Sequence, residues 1–244
     1  MTPAATTRIR PRGAARPARR PSGRSVRVRT VLIGAAVVAA VLGLIAVAWL
    51  SPLLSVRTVE VVGATAIPQE DVLARLELAE GTPLLQVDTA AAAQRVAALP
   101  RAASVRVQRV YPSTVRVTVT EREAVVFVDA PDGTHSLDAD GVDFAVEPPP
   151  MLTPRLVTPA PGPGDPATAA AIEVLAALPP ELRVQVGEVN APSASEVSLT
   201  LHDGRVVVWG TVDRSDRKAR VVLPLLTQPG QTYDVAAPDL PTVR

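Results

Sequence analysis

The distribution of apolar and polar residues divides the chain into one long apolar run and two regions of short helices and strands. The run, residues 31–50 (VLIGAAVVAAVLGLIAVAWL), contains no charged residue. Twenty helical residues span about 30 Å, the thickness of the apolar core of a bilayer, so we predict a transmembrane helix. The alternative is a cleaved signal peptide, because Ala46-Val47-Ala48 has the form of a cleavage site. The apolar run and the basic segment before it are both longer than a signal peptide needs, which favours the uncleaved helix.

Residues 51–124 show alternating and helical periodicities in a simple order. The pattern predicts a strand at 56–63, a short helix that begins at Pro68, a helix capped by Asp88 or Thr89, and a hairpin over 105–119. Each of these elements has one apolar side to bury. We therefore expect a three-stranded sheet with both helices on its apolar face and an open polar face.

Residues 125–244 contain shorter elements. The pattern predicts strands at 125–128, 136–137, 142–146, 182–189, 197–201 and 205–209, one helix over 167–178 and a last helix capped by Ser215. Asp203-Gly204 is a strong hairpin signal between the last two of these strands. Residues 148–166 are rich in Pro and Gly, which predicts a surface loop.

Charge is distributed unevenly along the chain. Residues 1–29 hold nine Arg and no acidic residue, whereas residues 30–244 hold 16 basic and 24 acidic residues. By the positive-inside rule, the N-terminus is predicted to stay in the cytoplasm and the region after the helix to be exported. The Arg- and Pro-rich tail (residues 1–30) cannot bury a core and is predicted to be disordered. Its arginines fit either a topology signal or attraction to anionic lipid or a cytosolic partner.

The chain offers few groups for catalysis or metal binding. It has no Cys, and its two histidines, His135 and His202, lie in predicted turns, where they are expected to be solvated. Asp138 and Asp140 do not fit a calcium loop, because Gly141 is at the fourth position and not at the sixth. The acidic residues of this stretch lie in or beside predicted turns, where Asp favours local hydrogen bonds. They are Asp129, Asp132, Asp138, Asp140, Asp143 and Glu147. We predict a protein that is not an enzyme and has no cofactor and no metal.

Several segments resemble the FtsQ/DivIB family of bacterial cell division proteins. Similar to the family's POTRA domain are VRTVEVVGAT, GTPLLQVD and LPRAASVRVQRVYPSTVRVTVTEREAVVFV. Similar to its β-domain are LDADGVDF, SLTLHDGRVVVWGTVDRSDRKARVVLPLL and TYDVAAPDLPTVR. The resemblance implies an α+β chain with four parts: a disordered basic tail (1–30), a transmembrane helix (31–50), a POTRA domain of β-α-α-β-β order (51–124), and a mixed, mostly antiparallel β-domain with helices (125–244). Pro224 departs from the family pattern, because it interrupts a helix that usually continues.

The resemblance also implies a function and a site. A member of this family is expected to be a single-pass membrane scaffold at the division septum, which binds FtsB and FtsL through its exported domains and links early division proteins to septal cell-wall synthesis. The expected site is an exposed last strand (Thr232, Tyr233, Asp234, Val235 and Ala236) that accepts a partner strand by main-chain hydrogen bonds. Pro238 and Pro241 cannot donate hydrogen bonds, which confines pairing to this stretch. In the family, a cation near the preceding strands pairs with an acidic partner residue, and residues 192–195 contain none.

Two other functions remain open at this point. One is a POTRA-type export or chaperone module that binds unfolded chains, and the other is an anchored cell-wall hydrolase. Tandem POTRA repeats would favour the first, and a carboxylate pair in a cleft would favour the second.

Overall fold

A computed structural model describes residues 23–50 and 54–244, with side chains from residue 29 to 43 in the first range and throughout the second. Helix α1 spans Gly23–Leu50 and includes the whole apolar run. It begins eight residues before the predicted start, because no Pro follows Pro21 in this stretch to stop it. The prediction of disorder is wrong for residues 23–30 of the tail, which are helical, and residues 1–22 lie outside the described residues. Among the residues that are described, no helix combines the length and the apolarity needed to cross a membrane.

Residues 54–122, here called the small-sheet region, have the predicted order of elements. They are β1 (Thr58–Val62), α2 (Gln69–Leu76), a 3-10 turn (Leu84–Gln86), α3 (Thr89–Ala97), β2 (Ala102–Val110) and β3 (Thr114–Glu121). The strand order is β1-β3-β2, in which β1 runs parallel and β2 antiparallel to β3. The strand-helix-helix-strand-strand arrangement is therefore confirmed.

The core of the small-sheet region lies between the two helices and one face of the sheet. Val115, Val117 and Val119 of β3 are fully buried there, at the two-residue spacing of a strand. Asp88 is the N-cap of α3, because its carboxylate accepts the N–H groups of the first helical turn. The opposite face carries polar side chains, among them Arg116, which donates a 2.9 Å hydrogen bond to a carboxylate.

Residues 125–244, here called the large-sheet region, form a nine-stranded mixed sheet. Its strands are β4 (Val126–Ala130), β5 (Gly133–Leu137), β6 (Asp143–Val146), β7 (Arg155–Val157), β8 (Val186–Asn190), β9 (Val197–Leu201), β10 (Val206–Gly210), β11 (Thr232–Asp234) and β12 (Thr242–Val243). Its helices are α4 (Pro166–Ala177), α5 (Pro180–Arg183) and α6 (Ser215–Leu225). The strand order is β12-β11-β10-β9-β8-β7-β4-β5-β6. Buried residues of α4 and α6 pack with those of the sheet in one apolar core around Trp209.

Two predictions about this region are wrong. The Pro-rich stretch contains β7, whose Leu156 is buried and which pairs in parallel with both β4 and β8. Three residues are too few to show a periodicity, so this strand could not be predicted from the pattern. Leu182 belongs to α5 and not to a strand, because Pro180 at the first helical position begins a helix before β8.

The start and the end of α6 also differ from expectation. Arg214, with φ of 56°, occupies the N-cap position, and Ser215 is the first helical residue. The Ser215 hydroxyl instead donates to the carbonyl of Val212 and accepts the indole N–H of Trp209 at 3.1 Å. Pro224 lies in the last turn of α6, where the helix ends one residue later.

Candidate functional site at the end of the large sheet

The predicted partner-binding residues, Thr232–Ala236, contain β11 and the two residues after it. Tyr233 and Val235 are buried at 1% and 0% exposure, whereas Thr232 and Asp234 lie on the other face and are half-buried. This alternation is the one that the sequence predicts. Tyr233 and Val235 therefore anchor the strand in the core and leave its main chain to pair sideways.

The prediction that this strand is the exposed edge is wrong. β11 pairs in parallel with β10 on one side and antiparallel with β12 on the other. The chain reverses over residues 235–241 and returns as Thr242–Val243, so the strand at the edge of the sheet is β12. The two prolines that were expected to end the pairing, Pro238 and Pro241, lie in this reversal.

Tyr233 fixes β11 through its ring and its hydroxyl. The hydroxyl donates to the carbonyl oxygens of Gln228 at 2.8 Å and Gly230 at 2.9 Å. The guanidinium of Arg205 lies 5.8 Å from the centre of the ring, within the range of a cation–π contact. The N–H of Val235 donates to the carbonyl of Val208 in β10 at 2.9 Å. β11 is thus fastened to the core independently of β12.

β12 is joined to β11 by a short ladder at Arg244. The carbonyl of Arg244 accepts the N–H groups of Gln231 at 2.7 Å and Thr232 at 2.9 Å, and its own N–H donates to the carbonyl of Thr232 at 2.9 Å. Val243 is half-buried against the main core, and Thr242 is exposed. Few apolar contacts accompany these hydrogen bonds.

An ion pair holds the reversal between β11 and β12 against the start of α6. The carboxylate of Asp239 accepts from Arg214 at 2.6 Å and also from Arg217. All three side chains are about half exposed. The next residue, Leu240, is 79% exposed.

A buried lysine holds the start of α6 against the end of β10. Lys218 is 1% exposed, and its ammonium group donates to the carbonyls of Trp209 at 3.0 Å and Thr211 at 2.7 Å. Burial lowers the pKa of Lys218. The lysine ties α6 to the end of β10, and so places Arg214 and Arg217 beside Asp239.

The opposite end of the large sheet is joined to the small-sheet region. Asp138 accepts the N–H groups of Asp140 at 2.9 Å and Val142 at 2.8 Å, which confirms the predicted turn, and it is also paired with Arg122. Arg101 is paired with Glu147, and this bond lowers the pKa of Glu147. The sequence predicted the turn but not its partner in the other region.

His135 is not the solvated turn residue that was predicted. It lies in β5, its side chain is 15% exposed, and its two ring nitrogens face the carboxylates of Asp143 and Asp132. These two hydrogen bonds raise the pKa of His135. His202 is exposed, as expected. Among the residues from 54 onward, and those of α1 that are described, no group of three or more acidic or histidine side chains is placed to hold a metal ion.

Comparison with known proteins identifies two matching family models. "POTRA domain, FtsQ-type" matches residues 54–122, and "Cell division protein FtsQ/DivIB, C-terminal" matches residues 126–240. The cell division protein FtsQ of Mycolicibacterium smegmatis is 52% identical over 235 residues, which cover 95% of this chain and 70% of the relative. FtsQ of Mycobacterium tuberculosis H37Rv is 49% identical over 230 residues, covering 94% and 73%. FtsQ of Corynebacterium glutamicum is 34% identical over 221 residues, covering 89% and 99%.

Proposed function

The chain belongs to the FtsQ/DivIB family of bacterial cell division proteins, and from this premise we propose that it is a non-enzymatic, single-pass membrane scaffold of the division machinery. Its partners are FtsB- and FtsL-type membrane proteins, and its role is to link early division proteins to septal cell-wall synthesis. The proposed domains are those expected from the sequence, 51–124 and 125–244. The observation that carries the proposal is the β10-β11-β12 end of the large sheet, where a firmly anchored strand is followed by a short edge strand.

The proposed membrane anchor is the apolar run at 31–50. What supports it is the absence of charge over 20 residues and the nine arginines that precede the run. A reporter fused after Arg244 is expected to be active outside the cytoplasm and to remain in the membrane fraction. A soluble protein that begins near Trp49 would contradict the anchor and support the cleaved signal peptide.

The proposed partner site is tested by photo-crosslinking in dividing cells. A crosslinking amino acid replaces Ala236, which is exposed directly after β11 and lies outside β12. The matched control replaces Met151, which is 93% exposed but lies in the Pro-rich loop. We expect adducts with FtsB or FtsL from position 236 and none from position 151. Adducts from 151 alone, or from neither position in protein that reaches the septum, would place the partner elsewhere.

A further inference from the structure

The outer edge of β12 offers little to a partner strand. In an antiparallel pair, residues alternate between hydrogen-bonded and non-hydrogen-bonded positions. Thr232 and Arg244 form a hydrogen-bonded pair. The neighbouring pair, Tyr233 and Val243, is therefore non-hydrogen-bonded, and the N–H and carbonyl groups of Val243 point away from β11. Pro241, the next residue with this direction, has no N–H. Within residues 241–244, a strand added outside β12 therefore finds one outward N–H group, that of Val243.

The edge of β11, which β12 covers, offers more main-chain hydrogen-bonding groups to a partner strand. Without β12, the N–H groups of Gln231 and Thr232 and the carbonyl of Thr232 would be free to pair. Asp234, which is in register with Thr242, adds a further hydrogen-bonding position. The strand would keep its shape, because Tyr233 is fastened in the core and Val235 is bonded to β10. The better strand acceptor is thus the one that the chain itself already occupies.

The contacts that retain β12 are weak ones. The ion pair of Asp239 with Arg214 and Arg217, here called the ionic latch, is about half exposed to water, where salt bridges contribute little. The strand is two residues long, and Val243 is its half-buried apolar contact with the core. Of the returning residues 238–244, only Pro238 is buried. A short strand with few buried contacts is the kind of element that opens locally while the rest of a fold persists.

We propose that residues 238–244 are an exchangeable strand, which an extended partner segment displaces in order to pair with β11. The inference rests on the proposed function and adds the way in which the site is opened. Displacement frees Arg214 and Arg217 from Asp239, so a fitting segment carries an acidic side chain at that place. The fitting segment also carries an apolar side chain, which takes the place of Val243 against the core. The ionic latch then keeps the site closed until such a segment arrives.

The test uses the full-length protein in lipid nanodiscs and three variants. The first lacks residues 238–244. The second is Asp234→Cys with Thr242→Cys, two positions in register across the β11-β12 pair. Bonded antiparallel pairs have Cα atoms about 5.5 Å apart, which suits a disulfide, and the chain has no other Cys. The third is Asp239→Asn, which removes the charge of the latch at nearly the same size.

Two probes are used, so that the exchange and the partner can be judged separately. One is a fluorescent peptide of the chain's own residues 237–244 (APDLPTVR), and the other is the FtsB protein of the same organism. The truncated protein is expected to bind the peptide about tenfold more tightly than the intact protein, because no strand must leave. The oxidised disulfide variant is expected to bind neither probe, and reduction is expected to restore binding. The affinity of the Asp239→Asn variant for the peptide is expected to lie between those of the intact and the truncated protein.

Each outcome decides between the possibilities. If the oxidised disulfide variant captures FtsB as well as its reduced form does, the partner adds outside β12 and exchange is wrong. If truncation weakens binding of the peptide while near-ultraviolet circular dichroism shows an intact core, the exchange proposal is also wrong. If the peptide binds as expected but FtsB binds no variant, the strand is exchangeable and the proposed partner is at fault.

Discussion

Ion pairs hold both ends of the large sheet, but the pair at one end is buried and the pair at the other end is exposed to water. At the β6 end, Asp138 and Arg122 form an ion pair whose side chains are 6% and 19% exposed, and Asp138 also accepts two main-chain N–H groups. At the β12 end, Asp239 and its two arginines are about half exposed. A buried pair is costly to break because one charge is left without water or partner, whereas an exposed pair is readily replaced by water. The difference indicates a fixed junction at one end and a releasable strand at the other.

The largest expected effect comes from breaking the buried pair. Asp138→Ala leaves Arg122 without its carboxylate and two N–H groups of the turn without an acceptor, so we expect a loss of about 3 kcal/mol in the free energy of unfolding. Urea unfolding followed by circular dichroism measures the loss. Asp140→Ala, an exposed acid in the same turn, is the control variant. A loss below about 1 kcal/mol would show that the junction is no firmer than the terminal end.

A smaller effect is expected from the anchor of β11. Tyr233→Phe keeps the buried ring and removes the hydroxyl that donates to Gln228 and Gly230, which we expect to cost about 1 kcal/mol. Tyr111→Phe is a matched control, because Tyr111 is 57% exposed at the end of a hairpin. Equal unfolding midpoints for the two variants would mean that the hydrogen bonds of the Tyr233 hydroxyl do not stabilise this end of the sheet.

The ionic latch is expected to contribute little to stability but to affect local opening. Asp239→Asn should cost about 0.5 kcal/mol or less, because the pair is exposed. Hydrogen exchange of residues 239–244 should nevertheless become faster, and so should that of Gln231 and Thr232, whose N–H groups donate to Arg244. Exchange of Val235 should stay slow, because its N–H donates to Val208 in β10. Glu196→Gln, at an exposed acid away from the latch, is the control. Unchanged exchange at β12 would leave the latch without a role.

The smallest effect concerns His135 and depends on pH. Its hydrogen bonds to Asp143 and Asp132 raise its pKa above the ordinary value of 6.5. A raised folded-state pKa gives stability that is fully present below the unfolded pKa and is lost as the pH rises through the folded pKa. The stability difference between wild type and His135→Gln should therefore be larger at pH 5.5 than at pH 9. His202→Gln serves as the control, and a difference that grows with pH would contradict this account.

Elements with their own periodicity could be predicted from the sequence alone. The valines of the small-sheet region, the two faces of β11 and the Asp138 turn depend on contacts within a few residues, so alternation and turn chemistry were enough. The motifs of the two family regions lie in the same segments. For these parts, local sequence and tertiary structure agree.

The tertiary structure decided which segments meet. β7 is three residues in a Pro-rich stretch and becomes a strand only because β4 and β8 lie on either side of it. Arg122 gained a partner in the other sheet region, which depends on how the two regions pack. The partners of His135 are only three and eight residues away, but they meet its ring because of how β5 pairs with its neighbours. Likewise, the alternation of Thr232–Ala236 determines which side chains are buried, but whether its main-chain edge is free depends on where the following residues go. In this fold they return as β12 and cover it, because strand pairing is a property of two segments and not of one.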